Sequence, residues 1–357
     1  MKAILLGIWL SLFPPPTTHI ETISQHSAPV QIQSQYSKPT IYGYVPYWTY
    51  KTAQLPGVLT DAAFFSLTIG GDGSLSALPK NALSQKRSDV VLSMMDQDAI
   101  PVFVRSESAR QNFINQVAIL IQDPLLKGIS IDVEYSGIVD RDLQSQFTIL
   151  IRSLSNLLHQ QPHPISLTIA SYSDAATVER LTKPKELAPL VDHLVAMTYD
   201  YHRRSSPKAG PVSPLYGSSE TLWASDIMAD LKSYTDQVPS EKILLGIPFY
   251  GYQWDVVDTM QHPFTIPNTG MTIQYKDVVK LLYSGKAVRH WDSSAFSPYL
   301  TFDDEGTTAM AYYDDPQSLL YKFQLVKQAH LGGIAIWALG YEGTTSDLWQ
   351  TIQKDLL

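Results

Sequence analysis

The chain has 357 residues, of which 44% are hydrophobic and 11% aromatic, with no cysteine and a formal net charge of −8. That length and apolar content support one large domain with a full core. The acidic balance, free of basic runs, excludes nucleic acid and anionic membrane as main partners. The missing thiols exclude disulfides, thiolate metal sites and a lipid-modified N-terminal cysteine. A neutral ligand and a monomeric protein are expected.

Lys2 precedes an apolar run from Ala3 to Phe13, the pattern of a secretory signal. The run is shorter than the roughly 20 apolar residues a membrane-spanning helix needs, so no transmembrane span is expected. Residues 1–24 read as a signal peptide, with the cleavage site poorly written near Thr22-Ile23-Ser24, and 25–38 read as a polar linker. A secreted or cell-envelope location follows as an expectation.

From Pro39 onward strand-like and helix-like segments alternate. Strands are expected at 40–45, 62–69, 100–105, 128–134, 164–170, 193–199, 243–249 and 333–338, and amphipathic helices at 84–98, 107–122, 141–159, 219–235 and 317–330. Eight strands with intervening helices over 39–357 predict an α/β fold, the (β/α)8 TIM barrel. The rival doubly wound sheet lacks a Gly-rich phosphate turn after its first strand. A polar and aromatic stretch at about 256–312, with a helix at 275–284 and strands near 287–291 and 298–302, predicts a small α+β insertion after the seventh strand.

The most informative segment is 128–135, Gly-Ile-Ser-Ile-Asp-Val-Glu-Tyr. Strand side chains alternate, so Ser130, Asp132 and Glu134 share one face while Ile129, Ile131 and Val133 share the other. Sinking two carboxylates into a barrel interior is costly unless they are paired or working. A salt-bridged pair at a strand end is one reading. A catalytic carboxylate pair with divided roles is the other, and its place at the C-terminal end of a barrel strand favours it. Partial desolvation would raise the pKa of Glu134 enough for general-acid work.

The sixth strand ends Met197-Thr198-Tyr199-Asp200, which on its own is equally explained by packing. Aromatics end three further strands: Tyr44 and Trp48 the first, Tyr250 and Trp254 the seventh, and Trp337 the last. Converging on one mouth, they suggest platforms on which sugar rings stack. The expected substrate-binding set is Trp337, Asp200, Met197, Tyr44, Phe65, Ser130, Tyr250, Trp48 and Trp254.

These motifs resemble those of the chitinase-like glycoside hydrolases of family 18, across roughly 39–357. The family's Asp-Gly-x-Asp-x-Asp-x-Glu signature lines up with Lys127 to Glu134. Met197-x-Tyr199-Asp200, Gly210-Pro211-Val212, Gly246-Ile247-Pro248-Phe249-Tyr250-Gly251 and Trp337 follow in order. The insertion, with Ser297-Pro298-Tyr299 and Tyr312-Tyr313-Asp314-Asp315, is most similar to the bacterial spore-cortex and germination-protein branch. The resemblance implies Glu134 as acid and the substrate's own N-acetyl group as nucleophile. It further implies Asp132 orienting that group, Tyr199 hydrogen-bonding its carbonyl, Trp337 as sugar floor, and no metal or organic cofactor. Two departures stand out. Lys127 replaces the signature's first Asp at the start of the strand. Ser130 replaces the middle Asp, and a Ser cannot share a titrating proton with Asp132, so a shifted pH profile or slower turnover is expected. The presumed third strand, Phe103-Val104-Arg105-Ser106, lacks the family's Gly-Gly ending; Arg105 is open to contacting substrate or pairing with Glu107. An exported hydrolase cleaving β-1,4 bonds next to N-acetylglucosamine, in peptidoglycan or chitin, is the leading expectation. A non-catalytic carbohydrate-binding barrel is the alternative.

Overall fold

The computed structural model describes residues 38–77, 88–163, 165–220 and 222–357. The expected signal segment and all but the last residue of the linker lie outside them. Eight parallel strands close into a barrel. They are β1 (Thr40–Pro46), β2 (Asp61–Thr68), β3 (Ser88–Met94), β4 (Leu126–Val133), β5 (Ser166–Tyr172), β6 (His193–Met197), β7 (Ile243–Pro248) and β13 (Gly333–Trp337), closing in the order β1-β13-β7-β6-β5-β4-β3-β2. Both faces of each strand are buried, which explains the near-continuous apolar runs. In β1, Ile41 and Val45 pack outward into the main core, while Tyr42 and Tyr44 join an inner cluster with Val91, Val195 and Leu244.

The third strand is not where the sequence placed it. Residues 100–105 form the helix Ala99–Arg105, and the strand is Ser88–Met94, inside the expected helix 84–98, whose first residues lie outside the described ones. The physical reason is local. Asp96 Oδ1 accepts from the backbone N–H groups of Asp98 and Ala99, at 3.0 Å each, and starts a turn there. Pro101 is tolerated in a helix's first turn. Ile100, Phe103 and Val104 are buried at helical spacing. Arg105 neither reaches the mouth nor pairs with Glu107. Its guanidinium holds Asp140 at 2.6 Å and Asp142 at 3.4 Å.

The helices Glu107–Leu120, Arg141–His159, Ile227–Thr235 and Pro316–Gln328 cover the barrel. Asp140 caps the second, accepting from Leu143 N at 2.8 Å, and Asp315 caps the last in a reciprocal box with Ser318. The insertion is a five-stranded antiparallel sheet in the order β10-β11-β12-β8-β9. Its strands are β8 (Tyr250–Asp255), β9 (Met271–Gln274), β10 (Ala287–Asp292), β11 (Ser297–Asp304) and β12 (Thr307–Tyr312), with a helix at Tyr275–Tyr283. It therefore starts at Tyr250 rather than near 256, with Phe249 alone between β7 and β8.

Candidate active site

β4 carries the carboxylates as its alternation requires. Ser130 stands opposite Val91 and Asp132 opposite Ser93 on β3. Glu134 N donates to Met94 O at 3.1 Å, which carries the strand's inward alternation one step past Val133. Asp132 and Glu134 line a cleft of about 330 Å³ at the C-terminal mouth. Lys127, at the other end of β4, is ion-paired with Asp61.

Asp132 is 6% exposed, and among the described residues its Oδ1 has no hydrogen-bond partner. Burial holds its carboxyl well above the usual range, and the charge of Glu134 adds to that. Burial also raises Glu134. A hydrogen bond from the Tyr172 hydroxyl opposes the rise, Asp200 adds to it, and Arg203 opposes it. Two like-charged groups sharing a poorly solvated site hold one proton between them more readily than either would alone.

Tyr199 joins the pair from two residues past the end of β6, its phenol pushed well above its ordinary value chiefly by burial. Gly246 makes room for it: a Cβ there would stand 2.9 Å from Tyr199 Cε1 and 2.6 Å from Ala196 O. Asp200 adopts a left-handed backbone (φ 64°) and accepts hydrogen bonds from the Tyr250 hydroxyl and, at 2.9 Å, from Tyr252. Opposite, Trp337 packs against Phe65 at 5.1 Å between ring centroids, Tyr44 at 5.8 Å and Trp48 at 6.4 Å. Trp48, about half exposed, donates its indole N–H to the Tyr341 hydroxyl at 3.2 Å.

Of the expected residues, Glu134, Asp132, Tyr199, Trp337, Asp200, Met197, Tyr44, Phe65, Tyr250 and Trp48 line this one cleft. Two do not. Ser130 is fully buried below the floor, with its Oγ 3.4 Å from the Tyr44 hydroxyl. Trp254 is buried in the insertion sheet, on the same face of β8 as Tyr250 but four residues farther from the barrel; its indole N–H donates to the carbonyls of Arg203 at 3.2 Å and Arg204 at 3.1 Å. Met95, Ala170, Tyr172 and Arg203 line the cleft without having been singled out from the sequence. Ala170 lies within the expected strand 164–170, and alternation reaches Tyr172 only at the observed end of β5.

A family profile described as "Glycosyl hydrolases family 18" matches residues 40–342. The chain belongs to glycosyl hydrolase family 18. It is similar to the cortical fragment-lytic enzyme of Bacillus subtilis (strain 168), 24% identical over 247 residues, covering 67% of this chain and 52% of that one. The chain spans about half the length of the first curated relatives it matches. Among solved structures it is similar to the immunomodulatory active chitinase of Trichuris suis, with a TM-score of 0.77, 21% identity and coverage of 90% and 100%. The Bacillus cereus spore cortex-lytic enzyme matches with a TM-score of 0.72, 19% identity and coverage of 90% and 75%. Both solved structures share the fold.

Proposed function

We propose that this family-18 barrel hydrolyses β-1,4 bonds next to N-acetylglucosamine with retention, by substrate-assisted catalysis. The observation that carries the reading is the meeting of Asp132, Glu134 and Tyr199 over the Trp337 floor in one open cleft. Trp337 stacks the sugar whose bond is cleaved. Protonated Glu134 gives its proton to the glycosidic oxygen. The C1–O bond breaks as the carbonyl oxygen of the 2-acetamido group bonds to C1, forming an oxazolinium ion, so the protein supplies no nucleophile. Asp132, ionised, accepts the acetamido N–H and offsets the developing charge, and Tyr199 donates its hydroxyl to the carbonyl oxygen. Glu134, now a carboxylate, takes a proton from the water that attacks C1 and opens the ring.

Peptidoglycan is the first substrate class and chitin oligomers the second; the cortical fragment-lytic relative supports that order. We extend the proposal to export through the segment at 1–24, which identification of the mature N-terminus in culture fluid tests. The catalytic reading is tested by incubating the protein and Glu134→Gln with N-acetylglucosamine oligomers and with peptidoglycan, and identifying products by mass spectrometry. Cleavage lost in the variant is the expected result. Saturable binding by both proteins without cleavage by either would replace the enzyme with a carbohydrate-binding barrel.

A further inference from the structure

The cleft presents three carboxylates, Asp132, Glu134 and Asp200, and among its described lining residues a single cation, Arg203. A neutral glycan offers hydroxyls and amides, which do not call for a guanidinium. Arg203 is nonetheless held in place by several contacts. The Trp254 indole clamps the carbonyls of residues 203 and 204. Arg203 N donates to Ser206 Oγ at 2.9 Å, and its Nε donates to Asp200 O at 3.1 Å. The approach to the Asp200 carboxylate is a loose 3.9 Å, and no hydrogen bond from the two terminal nitrogens is found among the described residues. Arg203 lines the cleft with its backbone and Nε held, which leaves the terminal nitrogens of the fork for a bound carboxylate, a group that guanidinium receives in bidentate fashion.

Arg203 lines the cleft together with Glu134 and Tyr172 and is tied through its Nε to the backbone of Asp200. We propose that Arg203 recognises a carboxylate on a sugar held in the cleft beside Glu134, the chemistry found on the 3-O-lactyl group of N-acetylmuramic acid. This rests on the glycosidase reading above. The carboxylate has two sources in a cell wall. On bare strands it is the lactyl group itself, released by prior hydrolysis of the lactyl-peptide amide. On substituted strands it belongs to the attached peptide.

The test compares wild type, Arg203→Gln and Arg203→Lys on three substrates: N-acetylglucosamine oligomers, bare glycan strands and peptide-bearing strands. The kcat/KM ratio of bare strands to neutral oligomers should fall about tenfold in Arg203→Gln, as expected for losing one charge-assisted, partly exposed contact, and less in Arg203→Lys, which keeps the charge without the fork. The wild-type ratio should also fall as salt rises. A ratio that moves only on peptide-bearing strands assigns the carboxylate to the peptide. An unchanged ratio, or equal loss on all three, overturns the proposal and leaves Arg203 as a neighbour of Glu134 and Asp200. Affinities of Glu134→Gln and Glu134→Gln/Arg203→Gln for the same ligands separate the two claims. If wild type cleaves nothing, the glycosidase reading fails, and the affinity ratio alone decides for or against Arg203.

Discussion

Two buried carboxylate sites in this barrel are built on opposite principles. Asp314 and Lys322 are almost wholly enclosed, and each group has its partners. Lys322 Nζ donates to Asp314 and, at 2.7 Å, to Ser213 Oγ, and Ser318 Oγ donates to the other Asp314 oxygen at 2.8 Å. Ser213 in turn donates to Thr198 O at 2.5 Å, next to Tyr199, so the ion pair braces the end of β6. Asp132 is nearly as buried, yet it faces a second carboxyl and, among the described residues, one of its oxygens has no partner. Burial that serves the fold is satisfied within the protein; burial at the mouth leaves capacity that a bound ligand can fill.

Substitutions can break that contrast. Glu134→Gln should lower cleavage by about three orders of magnitude, the middle of the range for a general acid, while the thermal midpoint stays level or rises because an unfavourable buried charge is removed. Turnover and calorimetry on the same sample check both halves. Lys322→Met should do the reverse, costing about 3–5 kcal/mol in urea unfolding by stranding Asp314, with kcat per folded molecule near wild type. A collapse of kcat without destabilisation would show that the ion pair belongs to the active site.

Asp89 on β3 sharpens the comparison, since it lies between the two cases. Tyr42 donates to one oxygen at 2.8 Å, the other oxygen has no partner among the described residues, and burial lifts its pKa to about 7. Gly128 opposite leaves it room, because a Cβ there would lie 2.6 Å from Asp89 Oδ1. The folded state therefore keeps a proton that the unfolded chain releases near pH 4. The resulting stabilisation is complete at lower pH and is lost as pH rises through about 7. Asp89→Asn should gain on wild type between those limits, by up to about 4 kcal/mol, and then plateau. Unfolding curves across pH would show a flat difference if Asp89 ionises normally.

The smallest expected effect is at Tyr172. Its hydroxyl favours the ionised form of Glu134, so Tyr172→Phe should raise that pKa and move the alkaline limb of kcat/KM upward. Asp200→Asn, which removes a like charge, should move it down. A limb that stays put in both variants would assign it to another group.

Much of this was legible in the sequence because β-strands obey a rule with period two. On β4 that rule makes Asp132 and Glu134 share the interior face, while Tyr44 and Trp337 are legible as aromatics at the ends of β1 and β13. The rule failed where strand identity was misjudged. Ala99–Arg105 is rich in β-branched residues, and its helical spacing of Ile100, Phe103 and Val104 was outweighed by that composition. Trp254 shares a strand face with Tyr250 but lies four residues farther along β8, beyond the reach of the cleft, a distance the motif alone does not reveal. Arg203 sits on a loop, where no period applies, and its backbone is held by the indole of a single residue, Trp254, distant in the sequence.

The single residue between β7 and β8 has a bearing on chimeras. With only Phe249 as a joint, the polypeptide passes from barrel wall to antiparallel sheet without a loop that could be cut, and β8 pairs with β12 from Ala309–Asp255 to Tyr312–Tyr252. Exchanging the insertion between relatives at its base would sever the strand that carries Tyr250 and Trp254. Grafts should keep β8 and β12 as a fixed stem and swap only what lies between Asp255 and Thr307, so that a new tip is carried on an unaltered mouth.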